Sequence, residues 1–180
     1  MLKSKFLLVP KGVQVSQPML LTRTVLMVVG VIFCFTCMAA AQGAQKIDAC
    51  TLLTKAEIQA AVGQNVGDGK LNTKANPAVG LPCEYVIGSS GAFSILVKTA
   101  GPGENADKVM AELKKMKIGV SDAPGIGDRS FFSSPGYGML QLNTFKGPKY
   151  LIITMLVPGA SEPVQKIAAE KLMRKALTKI

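Results

Sequence analysis

The sequence predicts an α+β domain in which helices pack against a mainly antiparallel sheet. The order is helix, two or three strands, helix, three strands, helix, with one disulfide. Three observations predict it. Residues 54–63 carry a full helix signature, from N-cap to C-terminal glycine. Residues 83–87 and 92–99 read as two strands joined by Gly88-Ser89-Ser90-Gly91, a hairpin connection by composition. Residues 150–157 are apolar on both sides except Thr154, the pattern of a strand buried in the middle of a sheet. Hairpins give antiparallel pairing, and the interspersed helices need a sheet to cover.

The first helix begins at Thr54, whose hydroxyl can accept from the free amide of Glu57 while the Glu57 carboxylate reaches back to the Thr54 amide. Ile58, Ala61 and Val62 share one helical face, and Gly63 stands where a left-handed residue closes a helix. Residues 64–80 are rich in Gly, Asn and Lys and read as a weak edge strand and a loop. In residues 92–99, Phe93, Ile95 and Val97 line one face, with Ser94, Leu96 and Lys98 on the other. Gly101-Pro102-Gly103-Glu104-Asn105-Ala106 leads into a second helix, to about Met116, with Ala106, Val109, Met110 and Leu113 inward. That run resembles a dinucleotide fingerprint, but the strand before it belongs to a hairpin rather than a parallel βαβ unit. A tight turn accounts for the glycines more simply.

Lys114, Lys115 and Lys117 close the second helix and complement its dipole. Residues 121–132 read as a turn-rich loop feeding a strand. Strands follow at 138–145 and 149–157, turning at Lys146-Gly147-Pro148. The final helix spans about 161–178, with Ser161 as cap and Pro163 in its first turn. Val164, Ile167, Ala168, Leu172 and Ala176 are read as its inward face.

Residues 1–41 read as a signal peptide. An uncharged apolar run at 25–38 follows Arg23 and ends in Ala39-Ala40-Ala41. Cleavage is expected after Ala41, or alternatively after Gly43. Met19 would give a more typical start, making residues 1–18 an over-extension. Residues 42–46 are a short linker, and 47–180 form one domain. An uncleaved run would instead hold the domain at the membrane, facing outward. Cys34 and Cys37 fall inside the apolar run, where a redox pair lacks the polar setting that lowers a thiol pKa. Phe33 and Thr36 before them make a poor lipid-attachment signal. Removing the leader leaves Cys50 and Cys83, which in an exported chain predict one disulfide, with two free thiols as the alternative.

The chain carries 21 Lys and Arg against 11 Asp and Glu, with no His and no Trp. Without His, the commonest general base and metal ligand are missing, and so are Ser-His-Asp and Cys-His catalysis. No catalytic, cofactor or metal residues are identified. Aromatic platforms for nucleic-acid bases are scarce, and nucleic acid is not an expected partner.

Ala49-Cys50-Thr51-Leu52-Leu53-Thr54-Lys55-Ala56-Glu57, Cys83-Glu84-Tyr85, and Gly125-Ile126-Gly127-Asp128 before Phe131 together form an ordered set of short motifs. The set resembles a family of small exported bacterial proteins of unknown function, many of them lipoproteins. The resemblance spans most of residues 48–180. It implies a periplasmic or secreted domain with a disulfide joining the two cysteine positions, and it brings no catalytic residues.

The expectation is therefore an exported, non-catalytic envelope or secreted domain that binds a protein, a small ligand or a surface polymer outside the cytoplasm. Gly125, Gly127, Asp128 and Arg129 form the candidate binding loop, on the ground that loops carried by a rigid sheet are where binding tends to sit. The turn at 133–137 is a second candidate. The alternative is a His-independent hydrolase, using Ser with Lys or a carboxylate pair such as Asp122 and Asp128. The basic final helix offers a further alternative, attachment to a membrane surface.

Overall fold

The structure is a computed structural model that describes residues 47–180. The leader, its cysteines and the linker lie outside the described residues. A short 3-10 turn, Ala49–Thr51, opens the fold, with the Asp48 carboxylate accepting from the Cys50 N–H at 2.9 Å. Helix α1 (Lys55–Val62) starts in the expected capping box. The Glu57 N–H donates to Thr54 Oγ1 at 3.2 Å, and the Thr54 N–H donates to Glu57 Oε2 at 2.8 Å. The Thr54 amide holds the Glu57 carboxyl below its ordinary pKa, against the effect of its partial burial. Gly63, at φ 71°, closes the helix.

Seven strands form one antiparallel sheet. They are β1 (Lys70–Leu71), β2 (Cys83–Ile87), β3 (Gly91–Thr99), β4 (Gly119–Asp122), β5 (Arg129–Gly136), β6 (Met139–Lys146) and β7 (Lys149–Leu156). Their order across the sheet is β1-β2-β3-β7-β6-β5-β4, so β7 holds the central place that its two-sided apolar pattern predicts. Leu151, Ile153 and Met155 point to one face, joined there by Phe93, Ile95 and Val97 of β3 and by Leu140 and Leu142 of β6. Helices α1 and α3 (Glu162–Leu177) pack over this face and close the main core. The Cys50–Cys83 disulfide is formed, and it ties the opening turn to β2.

Among the described residues, the opposite face is covered at one end only. Helix α2 (Ala106–Lys115) lies over β4, β5 and the near part of β6. Ala106, Val109, Met110 and Leu113 meet Phe131, Phe145, Tyr150 and Ile152 there in a second apolar cluster. Phe145 and Tyr150 stack with ring centroids 4.2 Å apart. The glycine-rich entry to α2 is a tight turn. Glu104 accepts from the Gly101 N–H at 2.8 Å and from Lys98 at 2.7 Å, and Asn105 caps the helix by accepting from the Lys108 N–H. Burial pulls the Glu104 carboxyl up, but the bonds from Lys98 and Gly101 outweigh it and hold the pKa below the ordinary value.

Three local expectations need correction. Residues 119–122, the last two of which belong to the stretch read as loop, form strand β4, because pairing with Ser134 to Phe131 of β5 overrides their turn-like composition. Helix α3 is rotated from the expected face. Val164 and Ile167 are exposed, while Gln165, Ala169 and Met173 join Ala168, Leu172 and Ala176 inside. Close approach to the sheet selects the alanines. Gln165 is tolerated there because its amide is satisfied, accepting from the Val157 N–H and donating to the Ala160 carbonyl. Ser161 occupies the N-cap position of α3 but makes no side-chain capping bond.

Candidate functional site

The expected binding loop sits at the β6–β7 end of the sheet, and its side chains are engaged internally. Gly125 and Gly127 have φ of 76° and 59°. A Cβ at Gly127 would lie 2.6 Å from the Phe145 carbonyl oxygen and 2.7 Å from Thr144 Cγ2. Asp128 accepts from the Gly147 N–H at 2.6 Å and from Lys146 Nζ at 3.3 Å, so it buttresses the β6–β7 turn. Those bonds, the Gly147 amide first, hold its carboxyl below the ordinary range. Arg129 pairs with Asp122 at 3.0 Å and lies 3.8 Å from Asp107, linking β5 to β4 and α2. Gly127→Ala is expected to destabilise the fold by about 2–4 kcal/mol, through the left-handed backbone and the overlap with a fixed carbonyl. Urea unfolding of the variant checks this.

The cations of α3 are also largely paired. Lys166 lies 2.7 Å from Glu162, Arg174 3.1 Å from Glu170, and Lys175, with Lys179 just beyond the helix, each 3.5 Å from Glu57. Exposed pairs of this kind contribute little to stability, but they reduce the basic face available to an acidic surface.

A different place stands out once the sheet is assembled. Because α2 stops short, the described residues leave open the face carrying β2, β3 and the far part of β7. It forms a hollow of about 620 Å³, lined among others by Lys70, Glu84, Val86, Ala92, Ser94, Met139, Thr154 and Leu156. Ser94 and Thr154 oppose each other directly across the β3–β7 pair, which puts two hydroxyls side by side on its floor. Val86, Ala92, Met139 and Leu156 supply apolar patches around them. Among the described residues, Glu84 is engaged by Asn72 and Asp68 by Lys55 at the rim.

The floor is wired to the covered end of the same face by a chain of hydrogen bonds. The Tyr150 hydroxyl donates to Asn143 Oδ1 at 2.7 Å, and Asn143 Nδ2 donates to Ser133 Oγ at 3.1 Å. Ser133 Oγ donates to Gln141 Oε1 at 3.2 Å, and Gln141 Nε2 donates to Thr154 Oγ1 at 3.2 Å. Every bond points the same way. Each donor polarises the next, so a one-way chain strengthens its own end. The Thr154 hydroxyl is that end, and among the described residues nothing takes its hydrogen. At the buried head, desolvation pushes the Tyr150 phenol well above its usual pKa. Lys98 Nζ stands 5.3 Å from the Tyr150 ring centroid.

Sequence reading singled out neither the hollow nor the chain. The available signal was the run of polar residues on one parity of β5, β6 and β7: Ser133, Gln141, Asn143 and Thr154. A second hollow of about 580 Å³ lies beside residues 77–81, bordered by Ile47, Val97 and Lys149. Among the described residues no group of three or more His, Cys, Asp or Glu is placed to hold a metal, and no helix is long and apolar enough to cross a membrane. No family model matches the chain, and no curated protein or solved structure gives a significant match.

Proposed function

We propose that the chain is an exported, non-catalytic domain of the cell envelope or the secreted fraction, which binds a ligand or partner on the open half of its sheet. The observation that carries this reading is the hollow itself: a packed seven-stranded sheet with one region of one face left uncovered by the described residues, floored by the paired hydroxyls of Ser94 and Thr154. A concave surface with apolar patches and a few convergent polar groups is the usual form of a binding site. The Cys50–Cys83 disulfide suits an oxidising compartment outside the cytoplasm. The signal-like leader and the resemblance to small exported bacterial proteins point the same way.

The test is the intact mass of the protein recovered from its own cells, before and after reduction and alkylation. A chain starting at Gln42 or Ala44 that takes up two alkyl groups only after reduction is the expected result. A mass retaining residues 25–38 would put the domain on the membrane instead. A cytosolic protein alkylated at both cysteines without reduction would overturn export.

A further inference from the structure

We propose that the ligand of the open sheet face is a neutral glycan, held between the Ser94–Thr154 hydroxyl pair on the floor and Tyr137 at the rim. This inference rests on the binding reading above and names its ligand class.

Tyr137 carries the first part of the argument. It forms the tip of the β5–β6 hairpin with Gly138, both at positive φ (54° and 74°), between the paired residues Gly136 and Met139. A two-residue turn of this hand favours Asn, Asp or Gly at its first position. A bulky residue there is an outlier. The one other non-glycine residue at positive φ among the described residues is Lys117, and it has a local reason. It closes α2, with the Ile118 N–H donating to the Leu113 carbonyl and the Lys117 N–H to that of Lys114. Tyr137 has no such reason, since it is 94% exposed and gains no packing. A residue that breaks the local rule with no internal compensation marks a functional position.

The hollow carries the second part. Met139, two residues beyond Tyr137, lines it, and so does Leu156, against which a Cβ at Gly138 would sit at 3.4 Å. The hairpin tip therefore stands at the edge of the hollow. Inside, the Thr154 hydroxyl is a donor at the end of a one-way chain, and Ser94 beside it has no protein partner among the described residues. Ala92, Met139, Leu156 and Val86 give apolar area between them. Charges of both signs stand on the β1–β2 side and are engaged with one another or with a neighbour: Lys70 opposes Glu84, Glu84 opposes Ser94 across β2 and β3 and accepts from Asn72, and Asp68 pairs with Lys55. A sugar offers the matching surface. Its hydroxyls accept from and donate to Thr154 and Ser94, its C–H faces lie on the apolar patches, and an exposed aromatic ring stacks on a pyranose. Among the described residues that line the hollow, Lys70 stands alone as a cation, so there is no cationic cluster to hold an anionic polymer.

The experiment uses the exported protein, its Tyr137→Asn and Thr154→Val variants, and three neutral tetrasaccharides: cellotetraose, chitotetraose and maltotetraose. Calorimetric titration at millimolar sugar is paired with tyrosine fluorescence, which is readable because the chain has no Trp. Saturable binding of at least one sugar is expected, weakened about tenfold or more in each variant, as for loss of a stacking ring or of a hydrogen bond to a polar ligand. Tyr137→Asn is also expected to raise the thermal midpoint, because Asn suits the turn. That pairing separates a binding role from a structural one. If no sugar binds, or if the sugar that binds is held by both variants as tightly as by the unchanged protein, the inference fails. A partner protein that cross-links through Val86 and is not displaced by any sugar would overturn the glycan assignment while leaving the binding reading in place.

Discussion

Replacing Cys50 and Cys83 together by alanine is expected to lower the unfolding free energy by about 3–4 kcal/mol, the chain-entropy value for a loop of this size. For a domain of this length that shifts the thermal midpoint by on the order of 10 °C. The bond spans a sequence separation of 33 and fastens the opening turn to a strand whose Cys83 is fully buried. The turn has other anchors. Ala49, Leu52 and Leu53 are buried, and the Tyr85 hydroxyl donates to the Leu53 carbonyl at 2.7 Å. The variant should therefore fold, with residues 49–53 as its weakest part. Thermal unfolding with and without reductant, and amide exchange in that segment, check the result. A midpoint unchanged by reduction would mean that these anchors alone hold the turn.

Asn143→Ala carries the second large effect, about 2–4 kcal/mol. Asn143 is the hub of the hydrogen-bonded chain, accepting from Tyr150 and donating to Ser133. Truncation leaves the buried Tyr150 hydroxyl without an acceptor, at about 1–3 kcal/mol, and adds a small void beneath α2. Tyr150→Phe should cost less, about 1–2 kcal/mol, because the ring keeps its stacking on Phe145 and only the Asn143 oxygen is orphaned. The double variant should cost less than the two together, as members of one network are coupled. Thr154→Val, at the open end, should barely change stability, because Gln141 is only half-buried and can turn to water. A urea series on the four proteins checks the gradient from hub to end. Equal losses at Asn143 and Thr154 would contradict it.

Much of the fold was legible in residues whose stereochemistry is local. Thr54, Glu57 and Gly63 define a helix by themselves, and the two-sided apolar run of β7 can lie only inside a sheet. Cys50 and Cys83 were legible by counting. What was not legible depends on neighbours in space. Ser121-Asp122 reads as a turn until β5 offers it a partner. Val164 and Ile167 outrank Ala169 in hydrophobicity, but the distance between α3 and the sheet favours the smaller side chain. The candidate site depends on where α2 stops relative to the sheet, which no single stretch records. Tyr137 lay inside a turn picked out by composition, but its left-handed backbone and full exposure became visible only with the hairpin built. Ser133, from the same stretch, turned out to be buried inside the chain of hydrogen bonds.

The strand order has a consequence for how the molecule is made. β7 is synthesised after the six other strands of this sheet, and among the described residues it is the strand that joins the β1-β2-β3 half to the β4-β5-β6 half. Until residues 149–156 emerge, the inner edges of β3 and β6 stand unpaired, with Phe93, Ile95 and Leu142 beside them. Such edges invite pairing between chains. A chain interrupted before Lys149 would thus yield two adhesive half-sheets rather than a smaller domain. A folding helper that shields apolar strands would matter most in that interval. At high concentration, neighbouring copies would be prone to exchange their β7–α3 segments.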